Sequence, residues 1–197
     1  KGLEQKFLAF DKFLQQCKQP HSASLLQISA ISRDQVPAYR QLGQRVDALA
    51  QQIHRKHARA DYTPLFYEHK VQNIETLTVL YRLARVALVT PTKDGMNLVA
   101  KEFVASQDPN DPGVLVLSEF AGAAQELPEA LLVNPFNVDH IAQAIAYALE
   151  MPRSERIERH QSMLKTLRQH NLQNWYEKFL QDLLSPLQAS STEYFAL

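Results

Sequence analysis

Asp94 and Glu102 stand with seven residues between them in the stretch VTPTKDGMNLVAKEF, residues 89–103. A carboxylate offers two acceptor oxygens, so it can take one hydrogen bond from each hydroxyl of a ribose diol. The spacing predicts a helix over residues 96–107. The first backbone N–H groups of such a helix lack partners within it, which suits that end to a phosphate or another electron-rich oxygen. Gly95 permits close approach of the backbone, and Asp94 lies just before the first turn. There it either caps the helix or accepts hydrogen bonds from ligand hydroxyls. Glu102 follows about two turns into the helix, so both carboxylates can face one cleft. The residues alone describe a nucleotide or phosphate-sugar binder.

To put these groups at a ligand-binding edge, the chain needs strands with helices between them. VALVT (86–90) and VLVLS (114–118) are unbroken apolar runs, as expected for strands buried on both faces of a parallel sheet. SLLQISA (24–30) and ALLVN (130–134) are also of strand length, and YTPLFYE (62–68) is a weaker candidate. Helical spacing marks the opening segment to Cys17, residues 34–57 with Pro37 in the first turn, 74–84, 96–107, 138–150 and a stretch from Arg153 to Leu184. GAAQEL adds a short helix, and residues 185–197 read as a loose tail. This alternation predicts an α/β fold with a Rossmann-like, doubly wound parallel sheet and carboxyl-terminal helices, because each parallel neighbour needs a crossover. Ligands of such sheets bind outside the carboxyl ends of the strands. The informative residues are therefore Ser32 and Arg33, Thr90 to Asn97, Ser118 to Gly122, and Asn134 to Asn137.

Composition narrows the partners. Lys plus Arg and Asp plus Glu number 21 each, so no global field draws the chain to nucleic acid or an anionic membrane, and any anion must be caught locally. The single Cys17 excludes an internal disulfide and a cysteine-rich zinc site. With no signal peptide or spanning segment evident, the cytoplasm is the expected compartment. No metal-ligand cluster stands out among the seven histidines, and His54 and His57 read as solvated. Ser118 lacks the Gly-x-Ser-x-Gly elbow of a hydrolase, and the absence of Gly-x-Gly-x-x-Gly argues against a nicotinamide enzyme. Trp175 is expected to pack on a core face or on a further domain. The abrupt entry at Lys1 into a helix suggests a piece of something longer.

LVTPTKDGMNLVAKEFVASQ, GVLVLSEFAGAAQEL and LLVNPFN together resemble the donor-binding domain of the trehalose-6-phosphate synthase family, across Lys1 to about Leu184. That family is one of retaining glycosyltransferases with two Rossmann-like domains, the GT-B architecture. The resemblance implies transfer of glucose from a nucleoside diphosphate glucose, UDP-glucose above all, to glucose 6-phosphate. It implies no cofactor and no metal ion. Residues 1–184 would be the donor domain and 185–197 a tail, with the amino-terminal acceptor domain absent from the chain. By this resemblance Asp94 accepts hydrogen bonds from the donor glucose, the backbones of Gly95, Met96 and Asn97 hold its hydroxyls, and the Leu98 and Val99 N–H groups meet the diphosphate. Glu102 would bind the ribose. Lys1, in KG, would neutralise the diphosphate and share the catalytic role with Asp94. Arg33, in SRDQVPAY, would meet the phosphate of glucose 6-phosphate. Lys93 departs from the family's arginine, keeping the charge but not the planar fork. The alternatives are a related glucosyltransferase, such as a glucosylglycerol-phosphate synthase, or a non-catalytic regulatory homologue, with a homo-oligomer among the candidate partners.

Overall fold

Parallel strands cannot be joined by a hairpin, so a chain that makes them must return each time through a crossover. The computed structural model describes residues 2–17, 23–29 and 36–184. In chain order its elements are α1 (Leu3–Gln16), β1 (Leu25–Ile28), α2 (Pro37–His57), β2 (Leu65–Glu68), α3 (Ile74–Leu83), β3 (Val86–Val89), α4 (Leu98–Ser106), β4 (Val114–Ser118), α5 (Ala123–Glu126), β5 (Leu131–Val133), α6 (Val138–Glu150), α7 (Arg153–Gln169) and α8 (Leu172–Leu184). The expected α/β class with parallel strands holds, and Pro37 opens α2 as anticipated.

The strands are hydrogen-bonded in two groups. β1 pairs with β2, from Leu25 opposite Leu65 to Ile28 opposite Glu68. β4 lies between β3 and β5, with Val86 opposite Val114 and Val116 opposite Leu131. These orders match the outer positions, 3-2 and 4-5-6, of a doubly wound sheet, and no strand among the described residues pairs with the inner edges of β1 and β3. Among the described residues β3 is a sheet edge, and the burial expected on both its faces is not found: Val86, Ala87 and Leu88 are only half-buried, and Val89 alone is buried.

Two apolar layers cover the strands. Phe7, Phe10 and Phe13 of α1 join Val46 and Ile53 of α2, Ile141 and Ile145 of α6, and the Val114 and Val116 side of β4. On the opposite side Leu115 and Leu117 meet Phe103 and Val104 of α4, Leu127, and Met163 of α7. The alternation along β4 thus feeds both layers, each side chain pointing opposite to the next. Fully burying Phe103 or Leu117 is worth about 1.5–3 kcal/mol apiece.

Several details differ from expectation. The helical stretch over 153–184 is two helices, because Asn171 Oδ1 accepts the Asn174 N–H at 3.0 Å and caps a new start. Of the two places expected for Trp175, a core face and a further domain, the first is excluded: it is 62% exposed and stacks on Phe179 at 5.4 Å. His57 is not solvated but pairs with Asp11 at 2.6 Å, whereas His54 is exposed. Among the described residues no helix is long and apolar enough to cross a membrane. The expected tail, 185–197, lies outside the described residues.

Candidate functional site

The segment after β3 is held by the loop after β4. The Asp94 N–H donates to the Phe120 carbonyl at 3.2 Å, the Gly122 N–H to the Asp94 carbonyl at 3.0 Å, and the Ala123 N–H to the Met96 carbonyl at 2.7 Å. This approach requires Gly122, since a β-carbon there would stand 2.2 Å from the Gly95 carbonyl oxygen. Gly95 itself is different. Apart from its chain neighbours Asp94 and Met96, no atom of the described residues lies within 4 Å of where its β-carbon would be, and its φ is not left-handed. Nothing within the chain demands a glycine at 95.

The helix expected from about Met96 begins at Leu98. Asn97 takes the left-handed conformation, φ 78°, and caps α4 by accepting the Ala100 N–H on Oδ1 at 3.0 Å. Asparagine is among the few residues that tolerate this conformation. The Met96 carbonyl, committed to Ala123, explains the later start. Asp94 consequently does not cap the helix. Its Oδ2 accepts from Asn97 Nδ2 at 3.2 Å and its Oδ1 from the Met96 N–H at 3.4 Å. One asparagine thus both opens the helix and steadies the carboxylate beside it.

With Ala100 satisfied by Asn97, the Leu98 and Val99 N–H groups are the helix-start donors left without a partner inside the helix. Met96, Leu98 and Val99 are exposed at 54%, 58% and 44%, so three apolar residues sit at this polar corner without a core to enter. The end of a nine-residue helix supplies partial positive charge there. Further along α4, Glu102 is half-buried and accepts from the Tyr81 hydroxyl at 3.5 Å. The neighbouring Lys101 points elsewhere, pairing with Glu126 at 2.7 Å, and that hydrogen bond holds the Glu126 carboxyl below its usual range. Lys93 is exposed.

The other strand ends contribute rings. Phe120 follows β4 and Phe136 follows β5, both exposed, with centroids 6.1 Å apart. Ser118 is fully buried and accepts the Phe120 N–H at 3.1 Å, which suits a turn former and not a nucleophile. Lys1 and Arg33 lie outside the described residues, as does Ser32. Gly2, next to Lys1, has φ 77° and packs against β3: a β-carbon on it would stand 2.4 Å from the Thr90 carbonyl oxygen. Among the described residues no group of three or more His, Cys, Asp or Glu could hold a metal ion.

The structure therefore brings Asp94, Gly95, Met96, Asn97, Leu98, Val99 and Glu102 along one turn and its following helix. The part played by two contributors was not visible in the sequence. Gly122 was legible only as one of several small residues, and Tyr81 carried no signal beyond an aromatic on an amphipathic helix.

Comparisons with known proteins point one way. The family model described as glycosyltransferase family 20 matches residues 1–185. Trehalose-6-phosphate synthase of Enterobacter sp. (strain 638) is 46% identical over 184 residues, covering 93% of this chain and 39% of the relative. An α,α-trehalose-phosphate synthase (UDP-forming) from Burkholderia xenovorans, solved in complex with glucose-6-phosphate, superposes with a TM-score of 0.90 at 45% identity, over 93% of this chain and 40% of that one. An E. coli structure bound with UDP-2-fluoro glucose gives a TM-score of 0.91 at 43% identity, over 95% and 42% respectively. The chain spans about two fifths of the length of the curated relatives it matches. A family model that matches nearly the whole chain, with relatives at this identity beside it, leaves one assignment: the chain belongs to glycosyltransferase family 20.

Proposed function

We propose that this chain is the nucleotide-sugar half of a retaining glucosyltransferase that makes trehalose 6-phosphate from UDP-glucose and glucose 6-phosphate. The observation that carries the reading is the α4 corner: two free N–H groups at Leu98 and Val99, a carboxylate steadied by Asn97 before them and a second carboxylate at Glu102 after them. A diphosphate accepts from the former, and hydroxyls on its two sides donate to the latter. The open space at Gly95 suits the approach of a sugar, with Met96 and Asn97 backbone groups beside it.

In this reading Asp94 orients the donor glucose, the α4 start and Lys1 hold the diphosphate, and Glu102 holds the ribose. Arg33 meets the phosphate of glucose 6-phosphate. The C1–O bond to the diphosphate breaks as the acceptor hydroxyl bonds to C1 on the same face. The departing phosphate oxygen takes the acceptor's proton. Lys1 and the helix start stabilise the charge that develops there, an electrostatic contribution organised before the reaction and needing no metal ion. The remaining acceptor contacts come from sequence outside these residues, in keeping with the two-fifths coverage of the relatives. Residues 1–184 form the donor domain in this reading, and the cytoplasm is its compartment.

Calorimetric titration of the natural protein containing this chain with UDP, UDP-glucose, ADP-glucose and GDP-glucose tests the proposal, with Glu102→Gln as control. UDP and UDP-glucose are expected to bind, about 10-fold more weakly in the variant, in line with a lost charge-assisted hydrogen bond of about 1.5–3 kcal/mol. Binding of another nucleotide in their place would overturn the choice of donor, and equal binding by both proteins would overturn the role of Glu102.

A further inference from the structure

Tyr81 sits at the end of a connected set of hydrogen bonds that the donor reading leaves unexplained. Gln107, 4% exposed, accepts the Gly113 N–H on Oε1 at 2.6 Å and donates through Nε2 to the Tyr81 carbonyl. A buried amide satisfied at both ends ties the last turn of α3 to the entry of β4. The Tyr81 ring stands edge-on to Phe103, centroids 6.4 Å apart at 81°, and Phe103 is a core residue of α4. Backbone and ring are therefore both fixed, and from that anchored position the hydroxyl reaches Glu102 Oε2 at 3.5 Å.

Among the described residues Glu102 has no other side-chain partner to orient it. Its Oε1 meets no donor among the described residues, and the nearest cation in sequence, Lys101, is committed to Glu126. A glutamate on a helix surface moves among several rotamers, and a ligand that uses it must first stop that motion. The phenol does so in advance. Burial, together with the charge of Glu102, pushes the Tyr81 hydroxyl above its ordinary value of 10.0, so at neutral pH it is protonated and can only donate toward the carboxylate. The separation of 3.5 Å is long, as hydrogen bonds at ligand sites often are before the ligand draws them tight.

We infer that Tyr81 is a positioning residue: it holds one carboxylate oxygen of Glu102 so that the other is presented to the ribose hydroxyls of the nucleotide. This rests on the donor reading above. It makes α3, the helix packed beside α4, part of what determines affinity for the nucleoside end.

Tyr81→Phe keeps the ring against Phe103 and removes only the hydroxyl, so the fold is retained. UDP affinity of the natural protein would be measured for wild type, Tyr81→Phe, Glu102→Gln and the double variant, and repeated with 2′,3′-dideoxy-UDP, which lacks both ribose hydroxyls. Tyr81→Phe is expected to weaken UDP about three- to tenfold, to leave dideoxy-UDP unchanged, and to have no further effect once Glu102 is replaced. In the steady state it raises KM for UDP-glucose with little change in kcat. Equal weakening of UDP and dideoxy-UDP would assign Tyr81 a structural role only and overturn the inference. If Glu102→Gln weakens UDP and Tyr81→Phe does not, the inference fails while the donor reading stands. If neither variant changes UDP affinity, the donor reading fails first.

Discussion

β4 and β1 are apolar strands of similar length, yet all five residues of β4 are buried and none of the four in β1 is. β4 has a strand on each side and an apolar layer on each face. β1 has one strand neighbour among the described residues, and Leu26 on it is 41% exposed. The burial of β4 carries past its end. The loop after β4 passes through Phe120, Ala121 and Gly122 and grips the 94–96 turn with three backbone hydrogen bonds. A turn can be held in one geometry only by something that is itself held. The donor contacts proposed here rest on the interior half of the molecule for that reason.

The largest test of this contrast is in the core beneath α4. Phe103→Ala should cost about 3–5 kcal/mol in denaturant unfolding, since its ring is 1% exposed between strand and helix. Leu26→Ala, on β1, should cost less than about 1 kcal/mol. Equal losses would show that the two halves are equally packed. Next comes a pair of glycines. Gly122→Ala should destabilise by about 1–3 kcal/mol, because its methyl must displace the Gly95 carbonyl. Gly95→Ala should alter stability by less than about 0.5 kcal/mol and act instead on UDP-glucose binding. A stable Gly122→Ala with full binding would remove the grip from the account.

Asn97 divides two effects of intermediate size. Asn97→Ala loses the cap and strains a left-handed residue, at about 1–2 kcal/mol, while Asn97→Gly relieves the strain and should recover part of the loss. Thermal melting of the two variants ranks them. The smallest effect belongs to Glu126, whose ordinary value of 4.5 is lowered first by the Lys101 hydrogen bond. A carboxyl depressed in the folded state stabilises above its unfolded value and loses that contribution as pH falls through the folded one. Glu126→Gln should therefore be less stable than wild type by about 0.5 kcal/mol at pH 6, with the gap closing as pH falls below 4.5.

Much of this was legible along the chain. Val114 to Ser118 and Val138 to Glu150 fall where apolar runs and helical spacing put them, since burial of that pattern leaves few other solutions. The carboxylates at 94 and 102 and the glycine between them were visible as types and spacing. The two-residue delay of α4 was not, because the Met96 carbonyl is drawn off by Ala123, a residue 27 positions later. Gly122 looked like one small residue among several until its distance to the Gly95 carbonyl was set. Trp175 was open to a core face or a further domain, and only the packing excluded the core.

The sequence by itself determined the order of strands and helices, the parallel class and the chemistry available at the edge after β3. Those follow from side-chain period, turn residues and charge, all of which act over a few positions. Only the tertiary structure decided that Asn97 opens α4 in a left-handed conformation, that Gly122 brings two loops to contact, that β1 and β3 each keep an inner edge unpaired among the described residues, and that Tyr81 reaches Glu102. These depend on which distant groups meet once the core has packed, and no local preference of the residues concerned contains that information.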